Sequence, residues 1–500
     1  MTAGRREWVG LAVLALPTLI VTMDLSVLFL AVPKLTRDLD PTSAELLWIT
    51  DVYGFLIAAC LITMGTLGDR IGRRRLLLIG SATFGLASLL AAFSTSAAML
   101  IAARAALGIA AATLAPSSLA LIRNMFADEE QRGRAIAIWV SCFAAGAAAG
   151  PVIGGVLLEH FWWGSVFLLN VPVMATLLAV GPVLLPESRD PNPGRLDLLD
   201  TALSLSSVLL IIFGVTRIAE QGAGETAALA IVMGLAIGAA FLRRQQRSAS
   251  ALVDLRLFRS AMFVAALAAL FVSVFVISGT DLFLAQYLQL VHGISPFVAG
   301  LWLLPGVIGL IVGSMLAPWL ARKMRPGLVV AWGLAVAAVG LLVLAGLREG
   351  SSLALLVTGM TLMGLGIGPV GALGTDIVVS AAPAERAGAA SALSETATEL
   401  GGALGIAILG SIGTAVYRGM LDDGLPRGLP SRVAESSHDT LGGAVEAARH
   451  LSEQRSDDLL QAARVAFTQG LEIAALAGAA IGASMALVAA LKLRAARVET

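Results

Sequence analysis

The sequence predicts an all-α polytopic membrane protein, and two observations support this fold class. The 500 residues are 57% hydrophobic and only 14% charged, with a mean hydropathy of +0.87, whereas a soluble chain carries about 25% charged residues. The apolar residues also occur in runs of about 20 residues, the length that a helix needs to cross a bilayer. The runs lack the two-residue alternation of a membrane barrel, and lipid admits only helices or closed barrels.

Fourteen segments are long and apolar enough to be predicted as spans. They lie at approximately 9–32, 46–67, 76–95, 99–122, 134–158, 162–185, 199–217, 226–243, 261–288, 297–321, 328–347, 353–377, 388–416 and 470–492. The polar segment at about 417–469 begins with turn residues and continues with alanine-rich, charged sequence. We expect one or two short helices there, outside the membrane; a disordered connector is the alternative.

The basic residues determine the expected orientation. With an even number of spans both termini share one side, and that side carries 23 of the 34 lysines and arginines. Four lie in the short loops of the other side and six in the long loop before the last span. Short loops rich in lysine and arginine stay in the cytoplasm, whereas long loops translocate largely regardless of charge. We therefore expect both termini in the cytoplasm. High usage of alanine, glycine and arginine suggests a bacterial source, so the expected location is the bacterial inner (plasma) membrane.

Composition argues against several classes of function. Lysines plus arginines equal aspartates plus glutamates at 34 each, so nothing suggests nucleic acid as a partner. Cys60 and Cys142 stand in separate apolar runs and are expected to pack rather than to bind metal. The sequence has no metal-ligand cluster, no nucleotide-binding P-loop and no catalytic constellation. We expect no metal, no cofactor, no enzyme activity and no direct use of ATP.

The most specific string in the chain follows the second span, at residues 65–75. It reads Gly-Thr-Leu-Gly-Asp-Arg-Ile-Gly-Arg-Arg-Arg. Glycines allow a tight turn and close helix approach, and an aspartate at a helix end can accept hydrogen bonds or pair with arginines. A loop that is basic only to set topology would explain the arginines but not the glycine–aspartate spacing. The residues with an expected conformational role are Gly65, Asp69, Arg70, Gly72 and Arg73.

The fifth span contains small residues four apart, with a proline beside one of them. These residues are Gly146, Gly150, Pro151 and Gly154. Glycines at this spacing let two helices approach closely, and proline kinks a span. Ordinary helix packing is the alternative to a conformational role.

Arg104 lies inside the fourth span. A charged side chain in a membrane is costly, so it usually faces a polar interior and has a function. The alternative is a structural arginine bonded to neighbouring carbonyl groups.

Five of the acidic residues in the spans form the candidate transport site: Asp24, Asp51, Asp281, Glu395 and Glu399. The four-residue spacing of the two glutamates places them on one helix face, where they can share a proton. An apolar environment favours a neutral carboxyl group unless a cation approaches. Such a group can bind either a proton or a cation, and each expels the other. Alternatively, Asp51 caps its helix and Asp281 is a lipid-interface residue.

The string at 65–75 resembles the signature of the major facilitator superfamily between spans 2 and 3. A degraded copy at 313–323 follows span 10, the equivalent place if the last six spans repeat the first six. The resemblance implies the major facilitator fold, with a binding site between two halves at mid-membrane. We expect a six-helix bundle at 1–190, two inserted helices at 191–255 and a second six-helix bundle at 256–500, which includes the loop at 417–469.

Within the superfamily, the chain resembles the 14-span drug:proton antiporters, the efflux pumps for quaternary ammonium compounds and dyes. The likeness covers essentially the whole chain and includes the Leu-Trp-Ile-Thr-Asp-Val-Tyr string at 47–53 and the string at 186–193. The Gly-Pro string of span 5 resembles the antiporter motif, and Arg104 resembles an arginine associated with proton coupling. The acids that match family positions implicated in transport are Asp24, Asp51, Glu395 and Glu399.

Two departures from the family pattern concern the acids. Some relatives carry an acidic residue in span 10, and this chain has none between Pro296 and Ala321. Asp281 is the residue that would compensate. The second acid of span 13 is often aspartate in relatives and is Glu399 here.

The resemblance implies a monomeric multidrug efflux antiporter that exports lipophilic cationic drugs and is driven by the proton gradient. The expected partners are these drugs, protons and the lipid bilayer. A dedicated exporter of one antibiotic or metabolite would have the same fold. A membrane sensor or membrane enzyme is disfavoured, because the chain shows neither an effector domain nor a catalytic constellation.

Overall fold

A computed structural model describes residues 4–189, 198–221, 224–247, 257–381, 387–425 and 429–493. Within these ranges the chain forms seventeen α-helices and no strand. The helices are α1 (Arg5–Leu39), α2 (Ser43–Ile71), α3 (Arg73–Ala92), α4 (Ala97–Met125), α5 (Glu129–His160), α6 (Ser165–Leu168), α7 (Asn170–Leu184), α8 (Leu198–Gln221), α9 (Glu225–Arg247), α10 (Ala261–Gln286), α11 (Pro296–Lys323), α12 (Pro326–Ala345), α13 (Leu353–Ser380), α14 (Ala387–Gly424), α15 (Ser431–Asp439), α16 (Leu441–Ala448) and α17 (Glu453–Lys492). A 3-10 turn precedes α10, and a π-helical turn at Tyr287–Val291 extends it.

The helices confirm a multi-pass membrane protein. Thirteen helical segments of the described chain are long and apolar enough to cross a membrane, and each contains most of a predicted span. The remaining predicted span, 199–217, lies in α8, where the apolar stretch Leu199–Val215 is shorter.

The sixth predicted span, 162–185, is helical but interrupted. Helix α6 ends at Leu168, and α7 begins at Asn170. Pro172 lies in the first turn of α7, where the backbone N–H that proline lacks would have no partner within the helix. Deeper in a continuous helix, the proline ring would clash with the carbonyl group four residues earlier.

The helices pack as two groups that meet at a few places. In the first group α1 packs on α5, α2 on α4, and α3 on α4 and α7. In the second group α11 packs on α13, α10 on α14, and α12 on α13 and α17. The groups meet where α5 contacts α11, α2 contacts α14 and α1 contacts α10. The predicted domain boundaries fall within 190–197 and 248–256, outside the described residues, so the division at those positions stays a prediction.

The inserted pair α8–α9 lies against the seam between the two groups, on α2 and α14. Thr63 of α2 and Thr201 of α8 share a hydrogen bond of 2.8 Å. The buried Asp200 carboxylate joins the pair internally, because it accepts bonds from Arg244 Nε at 2.5 Å and Gln245 Nε2 at 2.7 Å.

The segment predicted to hold one or two short helices forms two, α15 and α16, which rest on both groups. Arg418 of α14 donates to Asp439 Oδ1 at 2.8 Å and to Ser43 Oγ of α2 at 3.2 Å. Ser436 of α15 donates to Asp40 Oδ1 at 3.3 Å. The loop is shorter than the predicted 417–469, because α14 continues to Gly424 and α17 begins at Glu453. The added part of α17, residues 453–469, is rich in the strong helix formers leucine, alanine, glutamine and arginine, so this helix extends beyond its apolar part.

Candidate functional site

A buried ion pair lies in the first group of helices. Arg104 Nη1 of α4 lies 2.5 Å from Asp24 Oδ2 of α1, and the two side chains are 0% and 1% exposed. Arg104 Nε donates to the Ile49 carbonyl of α2 at 3.1 Å, and the guanidinium lies 4.4 Å from the centre of the Tyr53 ring. A buried arginine is tolerated only when it is paired and hydrogen-bonded. The structure therefore joins two predicted site residues, Asp24 and Arg104, into one unit.

The sequence reasoning missed a third member of this unit, Asn170. It is 1% exposed, and its Nδ2 donates to Asp24 Oδ1 at 3.1 Å and to Ser88 Oγ of α3 at 3.1 Å. One signal was present in the sequence: Asn170 is a lone amide between Leu169 and Val171, and a buried amide needs partners.

Asp51 lies one helix away, on α2, and is 1% exposed. Its Oδ1 accepts a hydrogen bond from Thr50 Oγ1 at 3.2 Å, whereas its Oδ2 is buried without a partner. The alternative that Asp51 caps the helix is wrong, because Thr42 is the N-cap and its side chain accepts from the backbone N–H of Glu45. The Tyr53 hydroxyl and Arg104 Nη2 are also buried without a partner.

Glu395 and Glu399 lie on α14, in the other group, and both are partly buried. They occupy one helix face, and each carboxylate feels the other's charge. Neither carboxylate has a hydrogen-bond or ion-pair partner among the residues that the structure describes; only the Glu395 backbone carbonyl accepts a side-chain bond, from Thr398 Oγ1 at 2.8 Å. Helix α14 contacts α2, the helix that carries Asp51 and Tyr53.

The structure does not join Asp281 to the other acids by any bond. It lies on α10, partly buried, and within the described chain it has no hydrogen-bond or ion-pair partner. The described residues also contain no group of three or more histidine, cysteine, aspartate or glutamate side chains suited to a metal ion. The chemistry of this site is therefore that of single carboxyl groups and one arginine.

The string at 65–75 forms the tight turn between α2 and α3. Asp69 Oδ1 accepts from Arg73 Nε at 2.8 Å, as predicted for an aspartate near a helix end. Gly72 has φ +109°, a conformation that favours glycine. Arg70 is exposed. The expectation of close helix approach is wrong for Gly65, because a Cβ there would meet no atom within 4 Å.

Glu187 anchors this turn to the chain after α7. Its Oε1 accepts from the backbone N–H of Arg74 at 3.1 Å, and its Oε2 lies 3.7 Å from Arg74 Nε. The Arg74 Nη1 group also donates to the Leu185 carbonyl at 2.9 Å. The turn thus holds α2, α3 and α7 together at one end of the first group.

The glycines of α5 bring it into close contact with α1. A Cβ at Gly146 would collide with the Leu19 carbonyl, one at Gly150 with Ser26, and one at Gly154 with Val27. The adjacent Pro151 faces the other group of helices, where its carbonyl lies against Gly300 of α11. The predicted close approach is confirmed, and the same string contacts both groups.

Replacing Gly146 by alanine is expected to lower the midpoint of thermal unfolding. The new methyl group would meet the backbone carbonyl of Leu19, which cannot rotate away, so α1 and α5 must separate, at a cost of about 1–3 kcal/mol. The measurement is the midpoint of thermal unfolding of the purified protein. Gly419→Ala is the matched control, because a Cβ at Gly419 meets nothing within 4 Å. An unchanged midpoint for Gly146→Ala would contradict the close contact.

Comparison with known proteins finds one matching family and several similar membrane transport proteins. The sequence profile of the Major Facilitator Superfamily matches residues 14–406. The multidrug efflux pump LfrA of Mycolicibacterium smegmatis is 44% identical over 98% of this chain and 97% of its own length. The methyl viologen resistance protein SmvA of Salmonella typhimurium is 35% identical over 92% of this chain and 93% of its own length. The tetracenomycin C resistance and export protein of Streptomyces glaucescens is 32% identical over 97% of this chain and 91% of its own length.

The fold is also similar to that of a solved transporter. A bacterial homolog of the human lysosomal transporter Spinster superposes with a TM-score of 0.69, covering 98% of both chains at 18% identity. At that identity the likeness concerns the fold alone.

Proposed function

Because the chain belongs to the major facilitator superfamily and its relatives are drug efflux pumps, we propose that it exports lipophilic cations from the cytoplasm in exchange for protons. Proteins of this family are transporters rather than enzymes. The proposed substrates are quaternary ammonium antiseptics and cationic dyes. The proton gradient supplies the energy, and no cofactor takes part.

The observation that carries this proposal is the pair of unpartnered glutamates on α14. Glu395 and Glu399 have no cation in the described chain to balance them, so a proton or a bound cation must take that role when they are shielded from water. A proton and a lipophilic cation thus compete for the same carboxyl groups, and competition for one site is what exchange requires.

The remaining predicted residues have proposed roles around this pair. Asp24, Asp51, Asp281 and Arg104 form the coupling and binding set with the glutamates. The turn at 65–75 and the glycines of α5 hold helices whose relative movement opens the site to one side or the other. A proton arriving from outside neutralises a carboxyl, a drug from the cytoplasm displaces it, and rocking of the two groups exports the drug.

The proposed orientation places both termini and the turn at 65–75 in the cytoplasm of a bacterium. The distribution of lysine and arginine over the short loops supports this assignment. Helices α15 and α16 then lie outside the membrane, over the end at which α1 joins α2. The protein is proposed to act as a monomer in the plasma membrane.

Ethidium efflux from cells that lack their own pumps tests the proposal. Cells that express the protein are expected to expel ethidium, and a protonophore is expected to stop this expulsion because it removes the driving gradient. Western blotting of the membrane fraction provides the control for expression. Efflux that continues after the gradient has collapsed would refute proton coupling.

A dedicated antibiotic exporter is the second candidate, and one relative favours it. The Streptomyces protein is a tetracenomycin C resistance and export protein. Absence of ethidium efflux from a protein that is folded in the membrane, together with resistance to one antibiotic, would support this candidate over multidrug export.

A further inference from the structure

We propose that α8 and α9 form a side wall that moves with the first group of helices and slides over α14, so that the seam beside Glu399 stays covered while the two groups rock. Such a wall serves the proposed function, on which this inference rests, because a lipophilic cation can escape through any gap that opens to lipid. The packing of the pair, its bond to α2 and its apolar contact with α14 carry the proposal.

Helices α8 and α9 pack on each other so closely that they form one body. A Cβ at Gly214 of α8 would lie 2.8 Å from the Ala227 carbonyl oxygen of α9, and one at Gly234 of α9 would lie 2.9 Å from that of Ser207. Ser207 Oγ also donates to the Gly234 carbonyl at 2.8 Å. Close backbone approach at glycines and hydrogen bonds between helices are what hold membrane helices together. The two helices therefore move as a unit.

The far side of α9 faces away from the rest of the protein. Helix α9 packs on α8, and its apolar side chains at Leu229, Val232 and Leu235 are exposed. A membrane helix with an exposed apolar face presents that face to lipid. Helix α8 consequently lies between this lipid-facing helix and the seam, where it contacts both α2 and α14.

A hydrogen bond attaches α8 to the first group of helices. The hydroxyl oxygens of Thr63 on α2 and Thr201 on α8 lie 2.8 Å apart, in a partly buried position. A hydrogen bond is directional, so a slide of α8 along α2 would break it. Buried hydroxyl groups that lose their partner are costly where water cannot replace it. This bond therefore favours a fixed position of α8 on α2.

The contact of α8 with α14 is of a different kind. Ile212 of α8 belongs to one buried apolar cluster with Phe55 of α2 and with Ala403 and Ala407 of α14. Apolar contact has no preferred direction, and the two alanines present only methyl groups. At this cluster α14 can move along α8 without breaking a directional bond. The sliding surface of the wall is therefore the one that faces α14.

The cluster lies one helical turn from the proposed exchange site. Ala403 follows Glu399 by four residues on α14, and Phe55 follows Asp51 by four residues on α2. This spacing places each pair on one side of its helix. Phe55 and Ile212 are 0% and 1% exposed, so the seam is closed at this level. A cation held by Glu399 is thereby separated from lipid on the side of α8.

Crosslinking tests which group of helices the pair follows. One variant carries Thr63→Cys with Thr201→Cys and joins α8 to α2, and another carries Ile212→Cys with Ala403→Cys and joins α8 to α14. A short bis-methanethiosulfonate links each pair after the protein has folded in the membrane, and ethidium efflux is measured before and after linking. We expect the link to α14 to lower efflux by about tenfold, because it blocks a required conformational step. The link to α2 should leave efflux unchanged.

The two native cysteines, Cys60 and Cys142, are replaced by alanine in both variants, so that only the introduced thiols react. The link between α8 and α2 is the matched control, because it uses the same reagent on the same helix. Mass spectrometry measures the extent of linking, and dithiothreitol, which removes either link, should restore efflux. If the second pair does not accumulate, Val208→Cys with Leu404→Cys joins the same two helices beside the cluster.

The outcomes separate this inference from the proposed function. Loss of efflux on linking α8 to α2 would overturn the inference, because the pair would then have to move relative to the first group. Normal efflux after complete linking of α8 to α14 would overturn it as well, because α14 would then not slide over α8. Absence of proton-dependent ethidium efflux from the unchanged protein, before any linking, would instead refute the proposed function.

Discussion

Replacing Glu399 by glutamine is expected to abolish the competition between drug and proton. Glutamine keeps the size of the side chain but cannot release a proton, and Glu399 has no described partner that the change would disturb. Linkage between two ligands typically changes the affinity for each by about 5–150-fold. We expect tetraphenylphosphonium to bind the unchanged protein more weakly in acidic than in alkaline buffer, and Glu399→Gln to bind it weakly and equally in both.

The matched control for this measurement is Glu453→Gln, which makes the same chemical change at an exposed position in the first turn of α17. It should keep the pH dependence of the unchanged protein. Glu395→Gln should retain part of the dependence, because one carboxyl of the pair remains. Equilibrium binding to purified protein measures all three variants. A normal pH dependence in Glu399→Gln would remove Glu399 from the exchange site.

Replacing Asp24 by asparagine is expected to destabilise the protein by about 3–5 kcal/mol, because it leaves the fully buried Arg104 charge without its partner. Removing Arg104 as well should recover much of this loss, since no buried charge then remains. Thermal unfolding of Asp24→Asn, Arg104→Leu and the double variant measures the interaction between the two side chains. Double-mutant cycles of contacting residues typically give about 0.5–3 kcal/mol.

Asp38→Asn is the matched control for this cycle. Asp38 lies on the same helix as Asp24 but is exposed, and its oxygen is 4.0 Å from Arg37. Exposed ion pairs of this kind contribute about 0–1 kcal/mol to the free energy of unfolding. The unfolding midpoint of Asp38→Asn should therefore hardly differ from that of the unchanged protein. Additive effects of Asp24→Asn and Arg104→Leu would show that the two residues do not stabilise each other.

Most of the predicted spans followed from the sequence because the membrane imposes a minimum apolar length, which thirteen helical segments of the described chain meet. The tight turn at Gly72 and the close approach at Gly146 also followed from local rules about glycine. The interruption between α6 and α7 was not predicted, although Pro172 was visible. Hydropathy averages over about 20 residues and does not register a break of one residue.

The candidate site was predictable in its members but not in its pairing. Acids and arginines inside apolar runs stand out in a sequence, so Asp24 and Arg104 were both identified. That they bond to each other depends on how α1 and α4 pack, and no local rule gives this. Asn170 was missed because an uncharged amide changes hydropathy little, and its importance appears only when its partner Asp24 is known. Thr42 was missed for a different reason: Thr42-Ser-Ala-Glu45 is the local pattern of a capping box and could have been recognised as the start of α2 in place of Asp51.

Proton flux coupled to drug transport tests the central claim most directly. The purified protein would be reconstituted into lipid vesicles containing a pH-sensitive dye, and ethidium would be added with and without an imposed pH gradient. We predict that the gradient drives ethidium across the membrane, that protons move the opposite way at the same time, and that Glu399→Gln stops both movements. Ethidium transport without any accompanying proton movement would contradict the account.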